Sequence, residues 1–237
     1  MKQIFFLAAF GLLLTTTGCW DDFTISGNGI QATENRIITE FNELKSSGSF
    51  DVHITNGDNY EVVVVAESNI ISYIDTYVSG STLHLDIRGI HNVRNHLPME
   101  VYVTTPQMKS IKQSGSGAIT TGYFEADNYE LFISGSGSIT TAVDATLINA
   151  GVSGSGKIKI SGTATQTNFS ISGSGKINSY DLAAHNCDAH ISGSGNMYVS
   201  ASDFIKATIS GSGNVFYIGN PSRETHISGS GKLISDN

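Results

Sequence analysis

The phrase Ser-Gly-Ser-Gly occurs seven times, starting at Ser114, Ser134, Ser153, Ser172, Ser192, Ser210 and Ser228. The steps between starts are 20, 19, 19, 20, 18 and 18 residues. A Gly/Ser tract on its own reads as a flexible linker. A linker has no reason to recur at a near-constant step with apolar residues in fixed positions beside it. Self-similarity at a fixed period marks a stacked repeat.

The register inside the repeat is legible. Just before each phrase stand Gln113, Ile133, Val152, Ile171, Ile191, Ile209 and Ile227, so only the first repeat is polar there. Two positions after the last Gly stand Ile119, Ile139, Ile158, Ile177, Met197, Val215 and Leu233. Strand side chains alternate with a period of two. That alternation puts the apolar residues and both glycines on an inner face and both serines on an outer one. The inner face is bare where the glycines stand. A tight corner needs this, because glycine tolerates unusual φ/ψ and admits a second backbone nearby.

A unit of 18 to 20 residues is shorter than a βαβ unit, which needs about 30. It fits one turn of a parallel β-helix. The expected fold is all-β: a single-stranded parallel β-helix (solenoid) of about six such coils over residues 109–237. With coils about 4.8 Å apart, the column would be roughly 29 Å tall, with an inner Ile/Val ladder and an outer serine ladder. The rival, an antiparallel meander, would show the apolar pattern in two mirrored arms.

Residues 1–18 read as a secretory signal peptide: Lys2, then an apolar core from Ile4 to Leu14 too short to span a bilayer. Thr16-Thr17-Gly18-Cys19 resembles a bacterial lipoprotein signal, with Thr16 where Leu is usual. The resemblance implies that Cys19 is lipidated; an ordinary signal cleaved elsewhere is the alternative. Trp20-Asp21-Asp22 resembles the surface-export signal of Bacteroidetes lipoproteins. Residues 19–36 are polar without a period and are expected as a tether.

Without residues 1–18 the chain has 12 Lys+Arg against 21 Asp+Glu, a formal charge of −9. That argues against nucleic acid and against electrostatic docking on anionic membranes. Of two cysteines, Cys187 has no intramolecular partner if Cys19 carries lipid. A buried small hydrophobe is its expected role.

Residues 37–108 are expected as an N-terminal β-rich cap that protects the open end of the column. Phe50 to Ile54 alternates, Asn56-Gly57-Asp58-Asn59 is a turn signal, and Tyr60 to Ala66 is a strand covered on both faces. Ser68 to Tyr73 reads as one helical turn capped by Ser68. Tyr77-Val78 and Leu83 to Ile87 read as a hairpin about Ser79-Gly80-Ser81, Arg88 to Leu97 as a polar loop, and Met99 to Val103 as a further strand. At the other end the cap is expected to be short or absent.

The Gly48-Ser49-Phe50-Asp51-Val52 strand, the Asn56-Gly57 turn, the Val62–Glu67 strand and Pro106-Gln107-Met108-Lys109-Ser110-Ile111 precede the repeated phrases. This order resembles the "putative auto-transporter adhesin, head GIN domain" family (DUF2807) of bacterial envelope proteins. The resemblance covers residues 37 to 237. It implies a β-helical fold on an exported protein and brings no catalytic residues.

Ser-Gly-Ser-Gly-Lys at 153–157, 172–176 and 228–232 imitates a phosphate loop, and Gly151 to Lys157 fits Gly-x4-Gly-Lys. The residue after each lysine is Ile158, Ile177 or Leu233, where a phosphate loop needs Ser or Thr for Mg²⁺. No helix follows, so no nucleotide is expected. His91 and His96 lack a third ligand nearby and read as a solvated loop rather than a zinc site. His190 and His226 should point outward, while His185 and His190 flank Cys187 without forming a known motif. Asp127, Asp144, Asp181, Asp188 and Asp203 lie on different coils, and stacking could gather some of them. Tyr123, Phe124, Tyr180, Tyr198 and Phe216 read as core before they read as a sugar platform.

The expectation is therefore a non-enzymatic cell-envelope lipoprotein with an adhesive or scaffolding role. Lipid at Cys19 would hold it to the outer membrane, on the cell surface or the periplasmic face. Its expected partners are the membrane, through that lipid, and an extracellular glycan or protein. No catalytic, cofactor-binding or metal residue is expected. The rival readings are a glycan-acting β-helix enzyme and a periplasmic structural or stress protein without an external ligand.

Overall fold

The computed structural model describes residues 24–89 and 92–237. The signal peptide, Cys19, Trp20-Asp21-Asp22 and His91 lie outside the described residues. The chain is all-β. The N-terminal strands are β1 (Thr24–Ser26), β2 (Gln31–Arg36), β3 (Glu43–Ser47), β4 (Asp51–Asn56) and β5 (Glu61–Glu67). After a 3₁₀ turn at Ile71–Tyr73 come β6 (Ile74–Ser79), β7 (Thr82–Ile87), β8 (Asn92–Arg94) and β9 (Glu100–Thr105). The repeats follow as β10 (Ser110–Gly115), β11 (Ala118–Gly135), β12 (Ser138–Gly154), β13 (Lys157–Gly173), β14 (Lys176–Ser179) and β15 (Leu182–Gly193). The last strands are β16 (Asn196–Ser200), β17 (Phe204–Gly211), β18 (Asn214–Ile218), β19 (Ser222–Gly229) and β20 (Lys232–Ser235).

The repeats form a parallel solenoid of about seven turns. Ser114, Ser134, Ser153, Ser172, Ser192, Ser210 and Ser228 are aligned in register from coil to coil. The apolar residues flanking the phrases line a buried core except in the last coil, where Ile227 is exposed and Leu233 half-buried, and the serines are exposed. The unequal steps are absorbed away from the phrase. β11 carries one extra residue against β12 at Thr121-Gly122, a bulge. The turn at Tyr180-Asp181 takes up the other 20-residue step. The glycine corner is constrained by close stacking, so length varies at the opposite corner, which faces solvent.

Gln113 stands where the other repeats carry Ile or Val, and it too points inward, 1% exposed. Its Nε2 donates to the Gly117 carbonyl, while Oε1 has no partner. The Gly117 carbonyl also accepts the Ser138 N–H at 3.0 Å, so it does not depend on the glutamine. Gln113→Ile should therefore stabilise the fold by about 1 kcal/mol, because a buried unsatisfied oxygen is removed and the ladder continued. Thermal melting would read this as a rise in Tm.

The N-terminal segment contains a further rung that lacks the repeated phrase. β3 pairs in parallel with β10, Ser47 opposite Ser114, and β4 pairs in parallel with β11, Val52 opposite Ile119. Ser47-Gly48-Ser49-Phe50 thus occupies the place of Ser-Gly-Ser-Gly, with the fully buried Phe50 at the second glycine position. β7 and β9 continue the parallel pairing below β3 and β4. Antiparallel strands then end the stack: β6 on β7, β5 on β9 and β2 on β5. The Asn56-Gly57 turn does not close a hairpin, because β9 lies between β4 and β5. The hairpin of β6 and β7 forms as read. At the far end, β19 and β20 pair only with the coil before them among the described residues.

Three local expectations are corrected. Residues 24–36 are not a tether where described: β1 pairs with β8, and β2 with β5. The partners lie far along the chain, so local periodicity carries no trace of them. The loop after Arg88 accordingly contains β8. Ser68 does not cap the short turn, which begins at Ile70 without a side-chain cap. Instead its N–H donates to the Ile30 carbonyl at 2.7 Å, and its Oγ accepts from Asn28 Nδ2 at 2.8 Å.

Glu67 explains why this segment is ordered. Its buried carboxylate accepts the N–H groups of Gly29 at 2.6 Å, His96 at 2.8 Å and Leu97 at 3.4 Å. Burial pushes the carboxyl pKa up, but these bonds and the His96 side chain outweigh it, and the net shift is downward. A lowered folded pKa means stabilisation above the ordinary carboxylate range that is lost as pH falls through the folded value. Acidification should therefore loosen residues 24–36 first, read as faster amide exchange in β1 and β2. Glu67→Gln should mimic this at neutral pH and lower Tm by roughly 5 °C.

Candidate binding face

The outward residues form columns that run across the coils. One is the serine column: Ser114, Ser134, Ser153, Ser172 and Ser192 are exposed and make no side-chain hydrogen bond within the described residues. Beside it runs a column in which Lys45, Lys112, Phe132, Gly151, Ser170 and His190 are register neighbours. A groove of about 600 Å³ lies between the two. Gly151 deepens it: a Cβ there would lie 2.7 Å from the Phe132 ring and 3.0 Å from Ser170 Oγ. The Phe132 ring, 39% exposed, therefore rests across the glycine. On the far side of this column Asn168 Nδ2 donates to Asn149 Oδ1 at 3.0 Å, and Glu130, Asp188 and His190 border a second hollow of about 480 Å³. The groove offers a ring, free hydroxyls and cations at one end. These are groups for binding a polar ligand with an apolar edge.

The expected clusters resolve differently. Asp127 and Asp144 border one hollow with Glu125, and the Asp144 carboxylate accepts the Thr163 N–H at 2.9 Å. Burial, then hydrogen bonds to Asp144 and Glu125, push the Tyr123 hydroxyl up to about 12. Asp181 pairs with Lys159, Asp188 borders the second hollow, and Asp203 meets His185. Among the described residues no group of three or more His, Cys, Asp or Glu is placed to hold a metal ion.

Ser202, His185 and Asp203 meet at the surface, but not as a relay. Ser202 Oγ and Asp203 Oδ2 both approach the same ring atom, His185 Nδ1, at 3.4 and 3.3 Å. The serine hydroxyl donates to Asp203 Oδ1 at 2.6 Å, so its proton goes to the acid and not to the ring. A triad needs the two partners on opposite ring nitrogens. Cys187 is fully buried beside Thr167, and burial pushes its thiol up to about 12, which suppresses the thiolate.

The phosphate-loop imitations have no free cradle. The N–H groups of Ser155, Lys157, Ser174 and Lys176 donate to carbonyls of the preceding coil at 2.9 to 3.0 Å. Of the aromatics read as core, only Phe124 is buried. Tyr123 is 45% exposed, and Tyr180, Tyr198 and Phe216 are half-buried on the outside. The groove itself was missed. Its signal was the position two before each phrase, which reads Lys112, Phe132, Gly151, Ser170, His190 and cannot be recognised as a column until the coils stack.

Fold and face together define a parallel β-solenoid with a ligand-sized groove on a hydroxyl-rich side. The chain belongs to the family described as "Putative auto-transporter adhesin, head GIN domain" (DUF2807), whose model matches residues 40–221. No curated protein matches the sequence. Solved structures share the fold. A "putative adhesin" of Bacteroides fragilis is 24% identical with TM-score 0.83, over 89% of this chain and 99% of that one. A "putative lipid binding protein" of Parabacteroides distasonis is 24% identical with TM-score 0.76, over 90% and 100%. A "putative adhesin" of Parabacteroides merdae is 20% identical with TM-score 0.72, over 90% and 99%.

Proposed function

We infer that this chain is a non-enzymatic envelope protein that binds a glycan or protein outside the cell. It is exported by residues 1–18 and held to the outer membrane by lipid on Cys19. The observation that carries the reading is the groove: unengaged serine hydroxyls on one wall, Phe132 and His190 on the other. The family description and the two similar structures described as adhesins support it. A glycan-acting enzyme needs converging carboxylates, and none lines this groove; Glu125, Asp127 and Asp144 border a different hollow, with Lys109. The test is in two parts. Protease added to intact cells should remove the protein, and the purified protein should bind a component of a glycan or matrix-protein array. Ser170→Arg, which fills the groove from an exposed position, should cut that binding at least tenfold. Cleavage only after lysis would overturn the adhesive reading in favour of a periplasmic scaffold.

A further inference from the structure

The side of the solenoid beyond the glycine corner carries an unusual concentration of positive charge. Lys157 and Lys176 are register neighbours on successive coils, and Lys159 stands two residues along the same strand from Lys157. Adjacent strands are about 4.8 Å apart. Like charges directly opposite on a sheet destabilise it. The chain as a whole is acidic, 21 Asp+Glu against 13 Lys+Arg, so counter-charges are plentiful elsewhere. Only Lys159 uses one, pairing with Asp181 at 3.2 Å. Lys157 is exposed and has no ion-pair partner among the described residues.

Lys176 is held in place without neutralisation. Its Nζ lies 4.2 Å from the centre of the Tyr198 ring, a cation–π contact. Tyr198 is in turn stacked on Phe216 at 4.9 Å and 8°, and meets the Tyr180 ring edge-on at 5.6 Å. The aromatic ladder thus fixes the ammonium on the surface while leaving its charge unpaired. Asn196 and Asn214 continue the Lys157–Lys176 column, and the Asn214 N–H donates to Asn196 Oδ1 at 3.0 Å. The whole column runs Ala118, Ser138, Lys157, Lys176, Asn196, Asn214 and Lys232, so its adjacent cationic rungs are the third and fourth, with a further lysine on the last.

We propose that Lys157 and Lys176 bind an acidic polysaccharide along this face. The regular spacing of the rungs suits a polymer, and uncompensated lysines on an acidic protein suit its carboxylate or sulfate groups. This deepens the binding reading above, on which it rests, but it uses a different face from the groove.

The probes are immobilised dextran sulfate, polygalacturonate and unmodified dextran. The protein should bind at least one of the two acidic polymers, bind dextran at least tenfold more weakly, and lose affinity as salt rises. Lys157→Glu with Lys176→Glu should reduce that binding at least tenfold while the protein still melts in one cooperative transition, since only the contact of Lys176 with Tyr198 is lost from the fold. Tyr198→Phe should retain it. Lys45→Glu with Lys112→Glu, the same change of charge in the groove, should also retain it. Equal binding by the Lys157/Lys176 variant and the parent would overturn the assignment. So would loss in the Lys45/Lys112 variant, or no preference for the acidic polymers over dextran. None of these results bears on array binding that is abolished by Ser170→Arg, so the groove reading stands or falls separately.

Discussion

Gly173→Val is expected to unfold the solenoid or leave it barely folded, while Ser172→Ala, one residue away, melts like the parent. Gly173 has φ +116, a region β-branched residues avoid. A Cβ there would lie 2.7 Å from the Gly154 carbonyl oxygen of the coil below. That neighbour is backbone and cannot swing aside. Gly193 stacks in the same way from above, with its own Cβ position 2.5 Å from the Gly173 oxygen. The only relief is to separate the coils, which breaks the ladder on both sides. The expected loss exceeds about 4 kcal/mol, a large part of the stability of an ordinary domain. Ser172 is exposed and makes no side-chain bond, so its change stays within about 0.5 kcal/mol. Equal melting temperatures for the two variants would overturn the corner described here.

Phe169→Ala is expected to cost about 3 to 5 kcal/mol, the range for emptying a large core site. Phe169 is 2% exposed, and its register neighbours are Ala150 and Ala189. The ring fills the interior that two adjacent alanines leave vacant. Removing it would put four alanines in succession in one inner column, since Ala207 follows Ala189, and open a cavity that rigid coils cannot close. Chemical denaturation should show a lower midpoint with a retained cooperative transition. Adding Ala150→Phe to the variant moves the ring by one coil and should recover part of the loss. Failure of both single and double variants to differ from the parent would mean that this column is not a packed core.

The parallel column follows from local sequence alone. Seven phrases with flanking isoleucines state the period, the inward residues and the bare corner, and strand alternation converts these into a stacked ladder. The residues after the lysines, Ile158, Ile177 and Leu233, argue against a phosphate loop in sequence, and in the structure the stacked coils take up the N–H groups of Ser155, Lys157, Ser174 and Lys176. Composition and the N-terminal motif raise the expectation of an exported, anchored protein. Other features have no local signature. Ser47-Gly48-Ser49-Phe50 is a rung by position, but Phe50 breaks the motif, and only pairing with β10 and β11 reveals it. Residues 24–36 lack periodicity because their strands are stabilised by Glu67 and by partners distant in the chain. The groove and the lysine face arise from residues 18 to 20 positions apart in sequence, which become neighbours only when each coil settles on the last. Short-range alternation therefore decides what is inside. Which outward residues meet is decided by the register between coils, and that register exists only in the tertiary structure.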